Sequence, residues 1–143
     1  MKKIIFTLIG ISVLFISTNS NANNNINLKE NKTFHQSFRH AKNIHRFEKE
    51  NGIVEFDFLL KGKYVSAYYD QSGKLTETNF SIDFKELPEK TKNYIQSEFS
   101  SACITDITKV NCSQTVVYKI KLESKGIEYS ILSSPSGGIT LGY

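Results

Sequence analysis

The chain has 143 residues, of which 39% are hydrophobic and 22% charged, the size and balance of one small domain able to bury a core. Its formal charge of +4 falls to +2 once Lys2 and Lys3 are set aside with an N-terminal leader, and the remaining lysines are scattered. A nucleic-acid-binding surface, which needs a basic stripe, is therefore not expected.

Residues 1–22 read as a secretory signal peptide. Lys2 and Lys3 precede an apolar run, Ile4 to Ile16, and Ser20-Asn21-Ala22 supplies small residues for cleavage after Ala22. The run is about 13 residues, short of the roughly 20 that span a bilayer, so an uncleaved anchor is the weaker reading. No second hydrophobic segment follows, and a periplasmic or secreted product without stable membrane insertion is expected.

Residues 23–33, opening Asn23-Asn24-Asn25, read as a flexible polar tail. Asn31 or Thr33 can cap a first helix running to about His40, with Phe34, Phe38 and Ala41 at helical spacing. Strand signals follow at Ile44–Phe47, Val54–Leu60 and Tyr64–Tyr69. Val54, Phe56 and Phe58 alternate with Glu55 and Asp57, the period of a strand with one buried face. Lys61-Gly62-Lys63 and Asp70-Gln71-Ser72-Gly73 are turns, and Leu75 to about Ile82 is extended. Leu87-Pro88-Glu89 opens a second helix, because proline is tolerated where the N–H has no intrahelical partner. It ends near Ser100. Strands are then expected at Ile104–Val110, Val116–Glu123 and Ile127–Leu132, and Ile139–Tyr143 ends the chain.

The two halves, about 34–82 and 87–143, match. Phe38 and Ala41 lie 61 residues before Phe99 and Ala102, and Ile44 lies 63 before Ile107. From there the offset is 64: Val54, Phe56 and Phe58 map onto Tyr118, Ile120 and Leu122, Lys61-Gly62 onto Lys125-Gly126, and Ser72-Gly73 onto Ser136-Gly137. The expected fold is α+β: two helix-strand-strand-strand repeats forming one antiparallel sheet with both helices packed on one face. The other face is left for solvent or a partner.

The segments Glu55-Phe56, Lys61-Gly62-Lys63, Asp70-Gln71-Ser72-Gly73-Lys74-Leu75, Glu86-Leu87-Pro88 and Tyr118 to Tyr129 together resemble the PepSY-like proteins. These are exported bacterial proteins whose fold is similar to beta-lactamase inhibitor protein. The resemblance spans residues 34–143 and rests on turns, a helix start and strand alternation, which speak to fold more than to function. It implies a binding or inhibitory role in the cell envelope. The chain departs from the pattern at Ser134-Pro135-Ser136, where the family carries an aspartate turn, and in its two cysteines.

Motifs for catalysis or metal are weak. His35, His40 and His45 are five apart, which scatters them around a helix. Asp70-Gln71-Ser72-Gly73 lacks the remaining oxygen ligands of a calcium loop. Ser133, Ser134 and Ser136 have no glycine-flanked elbow. Glu55 and Asp57 form an i, i+2 carboxylate pair on an open face, where no pocket is expected. The sequons at Asn31, Asn79 and Asn111 carry weight only in a eukaryotic source. No cofactor or metal is expected. Cys103 and Cys112 are a candidate disulfide that the compartment favours. A straight strand between them, separating their Cα atoms by roughly 25–30 Å, resists it.

One constellation stands out. If the core residues of the strands face the helices, Tyr64 and Tyr68 face away together with Glu55, Asp57, Lys119 and Lys121. Tyrosine pairs large contact area with a polar handle and is enriched at interaction hot spots. The expected function is an exported non-enzymatic module that binds an envelope protein or peptide through this face, with inhibition of an envelope enzyme or peptidase as its sharper form. A structural or assembly factor pairing through an edge strand, and a hydrolytic enzyme, are the alternatives.

Overall fold

A computed structural model describes residues 28–142; the expected leader, and the tail up to residue 27, lie outside the described residues. The elements run α1 (Leu28–Ser37), β1 (Lys42–Glu48), β2 (Val54–Leu60), β3 (Lys63–Tyr69), β4 (Leu75–Ser81), a 3-10 turn (Phe84–Glu86), α2 (Glu89–Glu98), β5 (Cys103–Cys112), β6 (Thr115–Ser124), β7 (Ile127–Ser133) and β8 (Ile139–Gly142). All eight strands form a single antiparallel sheet in chain order, β1 and β8 being its edges.

Two expectations change. The first helix starts at Leu28 and ends at Ser37, so residues 28–33 belong to it and not to a tail. Leu28-Lys29-Glu30 are strong helix formers, and Phe34 and Phe38 hold the helix against the sheet. Each helix is followed by four strands, not three. The segments after the turns at Asp70 and Ser134 pair fully, as β4 between β3 and β5 and as β8 on β7.

The pairings carry the same arithmetic as the sequence. Val54↔Tyr69, Phe56↔Ala67 and Phe58↔Val65 between β2 and β3 become Tyr118↔Ser133, Ile120↔Ile131 and Leu122↔Tyr129 between β6 and β7, each number raised by 64. Between β1 and β2, Arg46↔Phe56 and His45↔Asp57 correspond to Ile107↔Ile120 and Asp106↔Lys121 between β5 and β6. The offset of β5 from β1 is therefore 61, and Ile107 stands where Arg46 stands, not Ile44. A bulge at the same place in both pairs, before His45 and before Asp106, hides this from a reading of apolar positions alone. Asn43 takes φ 52° there.

The β2–β3 and β6–β7 hairpins close through two residues each. Lys61-Gly62 have φ of 51° and 80°, and Lys125-Gly126 of 53° and 75°. Positive φ at both central residues is the turn whose twist matches a right-twisted strand pair, and glycine reaches it without a Cβ penalty. The missing aspartate of the last turn is replaced functionally. Lys74 N donates to Asp70 Oδ1 at 3.0 Å, and at the corresponding place Gly138 N donates to Ser134 Oγ at 2.9 Å.

One face of the sheet carries both helices. Phe34 of α1 and Phe38 just after it pack on Val54, Phe56, Phe58, Val65, Ala67 and Tyr69, and Leu87 and Ile95 pack on Ile107, Ile120, Leu122 and Ile131. Register partners share a face, and the line Val65↔Phe80↔Lys109↔Tyr118 links the two clusters across the sheet. The first cluster is aromatic: Phe34 stacks on Phe56 at 4.4 Å and meets Phe58 edge-on at 5.0 Å. The second is mainly Ile and Leu, with Phe99 packed edge-on against Tyr129 at its margin. Lys63 of β3 pairs with Glu86 and ties the sheet to the connection ahead of α2.

Candidate functional site

The face away from the helices is built from the other register of each strand. Two transverse rows cross its first half. One runs Phe47, Glu55, Tyr68, Glu77, Cys112 and Thr115; the next runs His45, Asp57, Ser66, Asn79, Val110 and Val117. Strict alternation along β2 and β3 puts Glu55, Asp57, Tyr64 and Tyr68 on this face, and β6 adds Lys119 and Lys121. All six residues singled out from the sequence therefore share one face. The lysines stand four strands from β2, about 19 Å away at the usual strand spacing. The face is one surface with two separate sets of groups.

Exposure divides these residues. Tyr64 is 74% exposed, whereas Glu55 is only 8% exposed. Tyr68 donates its hydroxyl proton to Glu55 Oε1 at 2.7 Å, and Lys49, from the loop after β1, reaches Glu55 Oε2 at 2.5 Å. Burial alone pushes the Glu55 carboxyl up. The hydrogen bonds from Lys49 and Tyr68, with the Lys49 charge, outweigh it and leave Glu55 below the usual carboxylate range. Tyr68 is pushed up to about 12, first by burial and then by its bond to the Glu55 carboxylate. Glu55 is thus a structural anchor for Tyr68, closed to a ligand as it stands. Period-2 alternation assigns a side to a residue, but it does not show that Lys49 folds back over it.

Asp57 is the opposite case. Its Oδ1 is buried without a hydrogen-bond partner, and so is Oδ1 of Asn79 in the same row. Ser66 stands between them as register partner of both. Asp57 lines a hollow of about 440 Å³ with Asn43, His45, Leu59, Tyr64 and Ser66. A reading of the sequence expected no pocket here. The bulge at Asn43, invisible to hydrophobic periodicity, opens this part of the β1 edge.

A hollow of about 210 Å³ occupies the corresponding place in the second half, lined by Thr105, Lys121, Glu128, Tyr129 and Ser130. Lys121 stands at the position of Asp57 and Glu128 at that of Tyr64. Lys121 is the register partner of Asp106 across the β5–β6 pair, as Asp57 is of His45 across the β1–β2 pair.

The remaining candidates are plain in the structure. Cys103 and Cys112 are the first and last residues of β5, both exposed and free, so the candidate disulfide between them does not form; ten residues of continuous strand hold them apart. His35 lies in α1 and His45 in β1, with His40 in the connection between them. No three His, Cys, Asp or Glu side chains gather as a metal site among the described residues. Asp70 accepts from Ser72 N and Ser72 Oγ at 2.9 and 2.6 Å, the bonding of a closed turn. Ser133 is buried against α2, with its Oγ 2.6 Å from Thr91 Oγ1. No helix among the described residues is long and apolar enough to cross a membrane.

Several solved structures share this fold. A DUF2874 family protein from Bacteroides uniformis superposes with a TM-score of 0.70 at 17% identity, over 78% of this chain and 83% of its own. A Bacteroides eggerthii protein provisionally described as periplasmic gives 0.73 at 16% identity, over 80% and 86%. A BLIP-like protein from Bacteroides fragilis gives 0.69 at 14% identity, over 79% and 82%. No protein-family model and no curated protein matches the chain. The likeness is one of fold.

Proposed function

We propose that the chain is an exported, non-enzymatic binding module that seats a protein or peptide partner on the helix-free face of its sheet. The observation that carries this reading is the first-half hollow: an exposed Tyr64 ring beside a depression of about 440 Å³ whose wall holds the Asp57 carboxylate, its Oδ1 unbonded among the described residues. A binding surface gains most from a large rigid aromatic beside a recess that can be desolvated. Export is supported by the leader-like N-terminus and by a fold shared with a protein provisionally described as periplasmic. The PepSY-like resemblance and the BLIP-like neighbour make inhibition of an envelope enzyme the sharper form. On this reading the two halves are copies of one unit, helix plus four strands, and the first copy holds the recognition site.

Tyr68 is bonded to Glu55, so its removal also costs stability, and Tyr64→Ala is the cleaner probe. The protein is used as bait in an envelope extract, and captured partners are identified by mass spectrometry and remeasured with purified material. Tyr64→Ala is expected to weaken capture at least about tenfold, a hot-spot loss, with an unfolding midpoint close to the parent's. Equal capture by parent and variant sinks the assignment of this face.

An edge-strand role has one observation in its favour. β8 (Ile139–Gly142) carries no charged residue, while β1 at the other edge holds Lys42, Arg46 and Glu48. A lysine at Thr140 would abolish partner capture under that reading and leave it intact under the first.

A further inference from the structure

We propose that the first-half hollow receives the guanidinium of an arginine side chain presented by the partner polypeptide. This names the partner chemistry for the open-face reading and rests on it.

The argument starts from an imbalance of donors and acceptors. Two acidic side chains of β2 face this surface. Glu55 is satisfied by Lys49 and Tyr68. Asp57 has no ion pair among the described residues, and its Oδ1 is buried without a donor. Asn79 Oδ1, two strands away in the same row, lacks a donor as well. A partly buried carboxylate without a partner is costly, and a cation that reaches it recovers that cost. The missing component is therefore positively charged and rich in N–H donors.

The walls select the shape of the donor. Leu59 and the Tyr64 ring offer apolar surface for a methylene stem, and Tyr64 is exposed enough to be stacked upon. Guanidinium is planar, stacks on aromatic faces and meets a carboxylate with two parallel N–H groups, whereas ammonium is a compact, strongly hydrated point charge. Lys42 and Lys61 line the adjoining hollow beyond Leu59, which confines a favourable cation position to the Asp57 side.

The second half supplies an internal control. At the place of Asp57 it carries Lys121, which faces Asp106, and the hollow is about half as large. Asymmetry between otherwise corresponding positions locates the site on β2 and β3.

The test is a titration of the ¹⁵N-labelled protein, followed by amide chemical shifts, with a capped Gly-Ser-Arg-Ser-Gly peptide. The same peptide with citrulline, the neutral isostere of arginine, is the comparison. Millimolar affinity is expected for one side chain. Shifts should centre on Asp57, Ser66 and Asn79, weaken about tenfold with citrulline, and vanish in both Asp57→Asn and Asp57→Lys. Asp57→Asn should unfold at the parent's midpoint or slightly above it, because it removes a partly buried charge that has no ion pair among the described residues; a circular dichroism melt confirms that the variant is folded. Equal shifts with citrulline, shifts centred on Lys121 and Ser130, or undiminished binding by Asp57→Asn each overturn the proposal. The open-face reading fails separately. If Tyr64→Ala loses the partner and Asp57→Asn keeps it at full affinity, the face stands and the arginine site falls. If Tyr64→Ala keeps the partner, the face itself is wrong.

Discussion

The two halves of this sheet solve the same packing problem with different materials. Behind β2 and β3 the space under α1 is filled by Phe34, Phe38, Phe56, Phe58 and Tyr69. Behind β6 and β7 the space under α2 is filled by Ile95, Ile107, Ile120, Leu122 and Ile131. The pairing registers are the same after renumbering, so the backbone tolerates both fillings provided that the buried volume suits each helix. On the opposite face the halves diverge in chemistry. The first buries a bonded carboxylate and leaves a second with its Oδ1 unbonded among the described residues, and the second exposes lysines whose register partners include an acid. Two halves that share one pairing register can thus carry different chemistry on the face away from the helices.

The largest expected difference lies in the cores. Phe56→Ala removes a ring that stacks on Phe34 and meets Tyr69 edge-on, and should cost about 4 kcal/mol. Ile120→Ala, at the corresponding position, should cost about 3 kcal/mol. Urea unfolding with an unchanged m-value checks both; a cheaper Phe56→Ala would break the picture of an aromatic first core.

The contact of each helix with its last inner strand gives a smaller contrast. At position 69 the first half buries a tyrosine ring, and at 133 the second places a serine that meets Thr91. Thr91→Val should cost about 1 kcal/mol, since it removes one buried hydrogen bond and leaves Ser133 Oγ only its bond to the Ser134 carbonyl, and Ser133→Ala in the same background should add little. Additive losses in that double-mutant cycle would remove the bond from the account.

The two hairpins should respond alike. A Cβ at Gly62 or at Gly126 meets nothing, so Gly62→Ala and Gly126→Ala carry only the left-handed backbone penalty, about 1 kcal/mol each. Unequal midpoints would show that the turns are not equivalent.

The last contrast is visible only in alkali. Tyr68 and Tyr69 are both pushed up to about 12, Tyr69 chiefly by burial. Their neutral forms are favoured by folding, so the associated stability is complete below pH 10 and is lost between pH 10 and 12, where the unfolded chain gives up its protons first. Absorbance at about 295 nm should show two tyrosines ionising late, and Tyr68→Phe should remove one of them. In acid the sign reverses for Glu55. Its lowered carboxyl favours the fold above the ordinary carboxylate range, and that contribution fades as pH falls through the lowered value.

Much of this was legible along the chain because the signals are local. Alternation at Val54, Phe56 and Phe58 assigns sides, and Lys61-Gly62 and Lys125-Gly126 announce tight turns. The spacing of Cys103 and Cys112 already resists a bond between them. The start of α1, the fourth strand of each half and the correspondence of Arg46 with Ile107 were not legible. Helix formers without a cap signal look like tail, a last strand becomes a strand only when it pairs, and a bulge shifts the register without changing the residues.

The sequence by itself determined which residues face inward, where the hairpins turn and which six side chains share the helix-free face. These follow from a period of two and from backbone preferences that act within a few residues. Tertiary structure alone decided what each of the six can do. Lys49 comes across from another loop to close over Glu55, no donor among the described residues comes to Asp57 Oδ1, and β1 bulges at Asn43 beside it. Whether a carboxylate is an anchor or an open site depends on partners far away in sequence, and only folding brings those partners within reach.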